Sequence, residues 1–253
     1  MKGSRRRIAV NALIVRPAEY VPSSGPDLRS LGVKTIKYRI QYSKTGAARF
    51  TSHLDVLRAI SRTLRRAGLP VAFSSGFNPM PRLSFGPPLP LGLESEAEFF
   101  DLELTVDLKE EAVFNALQEA LPPGLTVLKV QRLVGKTPSL MAGIKALSYQ
   151  FFLEPRVELD QTQVQSLLGR LWAKNELPVV KGAKNGEKVV NIRPLWLDYH
   201  LDCGLEGLVL LTIKVEFGPR GTIRPDDFCT FLQNDFQVKR VIRKEAFFGE
   251  KVI

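Results

Sequence analysis

Thr35-Ile-Lys-Tyr-Arg-Ile-Gln-Tyr-Ser43 alternates apolar Ile36, Tyr38, Ile40 and Tyr42 with polar Lys37, Arg39 and Gln41. A period of two sends one set of side chains to a core and the other to water, so the stretch predicts a half-buried strand. The period then changes. Leu54, Leu57, Ile60 and Leu64 recur at steps of three and four, which predicts a helix over 54–67 with that stripe turned inward. Thr51 or Ser52 can cap its start, and Asp55 favours the dipole of its first turn. Gly68, just ahead of Pro70, supplies the stop.

Working outward, short strands are expected at 71–74 and 81–85, and the Pro/Gly-dense loop Gly86–Gly92 follows. A strand over 96–106, a helix over 109–121 ended by Pro122 and Gly124, and a strand over 126–133 complete the first half. The second half restarts with a strand at 145–154 and a helix at 161–173. Residues 177–181 and 187–193 suit a hairpin across Ala183–Gly186. Strands at 196–202 and 208–217, a helix at 225–233 and a strand at 238–245 close the chain. Each half thus reads β–α–β–β–α–β, the split-βαβ order. The expected fold is α+β: tandem ferredoxin-like modules with antiparallel sheets over 34–137 and 138–253, the second with an extra hairpin. Residues 1–33, basic and broken by the Pro22–Pro26 cluster, are expected to form a flexible tail.

Composition narrows the function classes. At 253 residues and 44% hydrophobic, the chain can bury a core without staples. No apolar run approaches the roughly 18 residues of a membrane span, so no membrane partner is expected. Cys203 and Cys229 form no CxxC pair, and His53 and His200 lie far apart, so neither a metal nor another cofactor is expected. Sparse cysteine fits a reducing cytoplasm, where two ordinary thiols are expected, a Cys203–Cys229 bridge being the alternative. The formal charge of +10 invites a nucleic-acid reading. However, residues 1–34 hold seven basic against two acidic residues, so half of that charge sits in this first segment.

Candidate site residues crowd into 49–101. Arg58, Arg62, Arg65 and Arg66 recur at helical spacing opposite the leucine stripe, a row suited to phosphates. The plain alternative is a solvated face paired to Glu94, Glu96 or Glu98, which share one face of a strand. His53 and Asp55, beside Arg49 at the helix entrance, are candidates for proton transfer or anion binding; capping alone would also explain Asp55. In Gly76-Phe-Asn-Pro79, Phe77 could stack on a base and Asn78 read its edge, with Arg82 and Ser84 beside them. The alternative is a turn with a hydrophobic plug. His200 is expected to make an ordinary hydrogen bond, and Glu94, Glu96 and Glu98 to be a solvated strand face.

Ser52-His-Leu-Asp55, Arg65-Arg-Ala-Gly-Leu-Pro70, Gly76-Phe-Asn-Pro79 and Leu83-Ser-Phe-Gly-Pro87, in that order, resemble the bacterial radical-SAM-linked domain family. Asn191-Ile-Arg-Pro194 and Thr222-Ile-Arg-Pro-Asp226 look like its weaker signatures. The resemblance implies a radical SAM protein as partner and implies no defined activity. The chain has no CxxxCxxC motif and is not expected to be the radical enzyme itself. A non-catalytic RNA-binding or substrate-presenting partner is therefore the leading expectation. An RNA-acting enzyme using His53 and Asp55, and a purely protein-binding adaptor, are the alternatives.

Overall fold

The computed structural model describes residues 35–75, 77–183, 186–203 and 207–249; the tail expected at 1–33 lies outside them. The first half runs β1 (Ile36–Lys44), α1 (His53–Arg66), β2 (Leu83–Phe85), β3 (Glu94–Leu104), α2 (Glu110–Ala120) and β4 (Leu125–Leu133). A short α3 (Leu140–Gly143), which the sequence pattern did not announce, leads into the second half. That half runs β5 (Ile144–Pro155), α4 (Gln161–Trp172), β6 (Pro178–Ala183), β7 (Gly186–Asn191), β8 (Trp196–Cys203), β9 (Val209–Glu216), α5 (Pro225–Cys229) and β10 (Phe236–Phe248).

The result is a mixed α+β protein built on one mostly antiparallel, eight-stranded sheet in the order β4-β1-β3-β10-β5-β9-β8, with β2 also on β3. The pairs β4–β1, β1–β3 and β3–β2 are all antiparallel, as are β10–β5, β5–β9 and β9–β8. β3 and β10 join the halves by a short parallel contact, Ile242 opposite Glu94 and Arg243 opposite Ser95. β6 and β7 form a separate hairpin.

Alternation along β1 gives the sheet its two faces. Tyr38, Ile40 and Tyr42 are buried against Val56, Ile60 and Leu64 of α1 and Val113 and Leu117 of α2. Lys37, Arg39 and Gln41 point to the opposite face, away from α1 and α2. The inward stripe of α1 is Val56, Ile60, Thr63 and Leu64: Ile60 and Leu64 face inward as expected, whereas Leu54 is 61% exposed and Val56 takes its place. The correction follows from the 100° step per residue: Leu54 shares its face with Arg58 one turn on, away from the sheet. Ser52 and Asp55 start α1 with a reciprocal capping box.

A second core gathers Tyr149, Phe151 and Leu153 of β5 with Val164, Leu168 and Leu171 of α4 and Phe228 of α5. Leu89 and Leu93, from the proline-rich loop of the first half, belong to this core too. α5 ends at Cys229, short of the expected 233. Beyond it the chain passes into turns that mix i→i+3 bonds, Leu232 N to Cys229 O and Asp235 N to Leu232 O, with i→i+4 bonds, Gln233 N to Cys229 O and Phe236 N to Leu232 O.

Glu94, Glu96 and Glu98 correct the expectation of a solvated acidic face. Glu94 and Glu98 are buried. Each acid meets a cation of β10: Arg240 Nε to Glu94 at 2.6 Å, Lys244 Nζ to Glu96 at 2.5 Å and Arg243 Nη1 to Glu98 at 2.8 Å. The acidic row is the seam that ties the halves together.

Candidate functional site

α1 displays Arg58, Arg62, Arg65 and Arg66 on its exposed side. The acids expected to neutralise them are engaged with β10, so the row keeps most of its charge. Arg58 lies 3.7 Å from Asp55, an exposed i,i+3 pair of little energetic weight. Arg66 donates to the Ala120 carbonyl at 2.6 Å. Arg62 and Arg65 have no ion-pair partner among the described residues.

The acid–base candidates are not brought together. Asp55 accepts from Ser52 Oγ at 2.6 Å and from the Ser52 amide at 3.2 Å. These bonds hold its carboxyl below the ordinary aspartate value. His53 stands edge-on to Phe85, with ring centroids 5.9 Å apart. Asp55 thus caps and His53 packs, and no hydrogen bond joins them among the described residues. His200 faces Asp202 at 3.1 Å on the surface, an ordinary contact as expected.

The loop after α1 is closed at its base by Ser74 N to Met80 O and Arg82 N to Ala72 O, both 2.8 Å. Arg82 Nε also donates to the Phe73 carbonyl at 3.1 Å, and its Nη1 lies 3.5 Å from Glu103. Arg82 is therefore a strut of the loop. At the tip Phe77 is fully exposed, beside exposed Asn78. Among the described residues it is buried against nothing, which does not suit a hydrophobic plug. Arg49 stacks on Phe50 at 4.6 Å and reaches Glu94 at 4.0 Å.

The sheet face away from α1 and α2 carries a second feature. A groove of about 690 Å³ opens between β1, β3 and β4, the 134–137 segment and the end of β10. Phe99 and Phe248 meet edge-on in its lining, with centroids 5.3 Å apart. Arg39, 5% exposed, lies over the Phe248 ring at 5.0 Å and donates to Asp101 at 2.8 and 3.1 Å. Lys129, Gln131 and Lys136 line the β4 side. Ser84 sits further along the same face, in a smaller cleft of about 320 Å³ with Arg82 and Lys37. The structure thus separates the predicted residues: the α1 arginines lie on one side of the sheet and Ser84 on the other.

Residues 37–225 match a family profile described as an uncharacterized protein conserved in bacteria (DUF2344). The chain belongs to this family. No curated protein sequence matches the chain. Among solved structures, a chain in the crystal structure of a Cbf5-Nop10-Gar1 complex aligns at a TM-score of 0.46 and 10% identity, over 90% of this chain and 55% of that one. A chain in the structure of an H/ACA RNP bound to a substrate RNA containing 2′-deoxyuridine aligns at a TM-score of 0.44 and 10% identity, over 90% and 54%. This chain spans about half the length of each.

The described residues hold no group of three or more His, Cys, Asp or Glu placed to bind a metal. None of their helices is long and apolar enough to cross a membrane. Cys229 carries a free thiol, pushed up to about 11 chiefly by burial. Sequence reasoning missed the groove because its members lie far apart in the chain. The available signal was the polar half of the β1 alternation, Arg39 and Gln41, which read as plain solvated surface.

Proposed function

We propose that the protein is a non-catalytic RNA-binding or substrate-presenting module. The observation that carries this reading is the row of exposed arginines on α1, whose acidic neighbour is the exposed Asp55 beside Arg58, while Glu94, Glu96 and Glu98 are engaged with β10. Guanidinium groups one turn apart suit successive phosphates. Exposed Phe77 and Asn78 add a stacking ring and an amide for base edges. The separation of His53 from Asp55 argues against the RNA-acting enzyme that would use them.

Two finer readings belong with this one. Each half is read as a ferredoxin-like module, supported by the strand orders β4-β1-β3-β2 and β10-β5-β9-β8. A radical SAM protein is proposed as the partner, supported by the motifs between Ser52 and Pro87, and the pair is placed in the cytoplasm, where the free thiol of Cys229 is at home.

The test is RNA binding by the full chain at about 50 and 200 mM salt. Four phosphate contacts to a single strand predict a loss of roughly 50-fold between those conditions. Arg58→Glu combined with Arg62→Glu should abolish binding and leave the unfolding midpoint unchanged, since both side chains are exposed. Unaltered binding in that variant removes the arginine row from the reading. A complex with a protein partner that survives nuclease and high salt would favour the adaptor instead.

A further inference from the structure

The groove on the sheet face away from α1 and α2 holds a cation with one unsatisfied nitrogen. Arg39 is nine-tenths buried, and its Nε and Nη2 are taken by Asp101 and, at 3.3 Å, by the Pro138 carbonyl. Its Nη1 is buried and has no hydrogen-bond partner among the described residues. Asp101 also receives Lys37 Nζ at 2.9 Å, so one carboxylate answers two cations. A buried donor left empty is destabilising unless something fills it. Lys129 and Lys136, exposed on the same lining, have no ion-pair partner among the described residues. Lys244 and Arg132 also line the groove but are held by Glu96 and Asp107. The surplus positive charge calls for an anion.

The rest of the lining says what kind of anion. Phe99 and Phe248 supply aromatic surface, which a bare phosphate or an acidic peptide would leave unused. Gln131 offers an amide that makes no other side-chain hydrogen bond among the described residues. Glu245 adds one carboxylate to the lining. A carboxylate repels phosphate but accepts from sugar hydroxyls. The volume of about 690 Å³ lies within the range of small-ligand sites.

We infer that this groove binds a phosphorylated nucleoside, its phosphate met by Lys129, Lys136 and Arg39 and its base by Phe99, Phe248 and Gln131. The nucleotide is free or is one residue of an RNA strand. In the second case the inference rests on the RNA-binding reading, although it uses the opposite face of the sheet from α1.

The experiment titrates the full chain with adenosine 5′-monophosphate, adenosine, orthophosphate and a short oligoadenylate, each by calorimetry. Lys129→Glu with Lys136→Glu should weaken the monophosphate by roughly tenfold per lysine. Both side chains are exposed, so the fold is kept; Gln131→Ala is the milder second variant, expected to weaken the monophosphate and spare orthophosphate. Arg58→Glu with Arg62→Glu should leave the monophosphate untouched and weaken only the strand, which separates failure of the α1 reading from failure of this one. Strand binding lost in the lysine variant, with no monophosphate binding to the native chain, supports the strand as the source. Orthophosphate binding as tightly as the monophosphate overturns the nucleoside. So does the absence of monophosphate binding together with strand binding indifferent to the lysine variant.

Discussion

Gly124 shows how one residue sets the entrance of α1. Its φ is +85°, in the left-handed region that side chains with a Cβ resist. Its carbonyl accepts from the Thr45 amide at 2.9 Å, fixing the tight turn at 46–50 that precedes the helix. A Cβ placed at Gly124 would stand 2.7 Å from the Ala48 Cβ and 2.8 Å from the Thr45 carbonyl oxygen. Neither obstacle is the end of a flexible side chain, so the backbone itself must move. Gly124→Ala is expected to cost about 1–3 kcal/mol, combining overpacking with conformational strain. Chemical denaturation measures it, and a loss below about 0.5 kcal/mol would mean that the turn yields freely.

Between elements, Glu94 is the joint: it accepts from the Gly46 amide at 2.9 Å, from Arg240 of β10, and lies near Arg49. Burial pushes its carboxyl up, but the bonds from Gly46 and Arg240 and the nearby cations outweigh that and hold it below the ordinary 4.5. A carboxyl lowered in the folded state binds fewer protons than in the unfolded chain. Its stabilisation is therefore complete above about pH 4.5 and is lost as the pH falls through the lower folded value. Glu94→Gln should cost stability at neutral pH, with the gap to the native protein narrowing at about pH 4 and below. Urea unfolding at the two pH values checks this, and a constant gap would show that charge is not what Glu94 contributes. Elements of this kind also mark the limit of what the sequence discloses. The strand at Ile36–Lys44 and the helix at His53–Arg66 were legible because periodicity is local. The start of the helix's inward stripe was not. Leucine spacing favoured Leu54, whereas the sheet beneath selects Val56 alongside Ile60 and Leu64. Likewise Glu94, Glu96 and Glu98 were legible as one face, but their partners lie some 146 residues away on β10. The Arg58 row and Phe77 were legible as exposed chemistry; the groove needed Arg39, Phe99 and Phe248 to meet through folding alone.

For the molecule as a whole, the question is how two cores come to behave as one protein. Each half buries its own apolar cluster. They are joined by the short parallel contact of β3 with β10, the insertion of Leu89 and Leu93 into the second core, and the ionic seam, whose most buried cation is Arg243. Arg243, 2% exposed, donates to Glu98 at 2.8 Å, to the carbonyls of Pro87 and Pro88 at 2.9 and 3.1 Å, and to the Tyr149 hydroxyl at 3.2 Å. It thus fixes the loop that carries Leu89 and Leu93 as well as the β3 edge. Removing it strands Glu98 in a buried site, and breaking a buried pair on one side costs about 3–5 kcal/mol. Arg243→Ala should therefore lower stability by that amount, with part recovered on adding Glu98→Gln. It should also loosen the coupling of the halves. Both tryptophans, Trp172 and Trp196, pack in the second core, so their fluorescence follows that half while far-ultraviolet dichroism follows the whole sheet. In the native protein the two denaturation curves should coincide; in Arg243→Ala they should separate. Curves that still coincide, with a shift of less than about 1 kcal/mol, would place the coupling in the apolar insertion of Leu89 and Leu93 and not in the ionic seam.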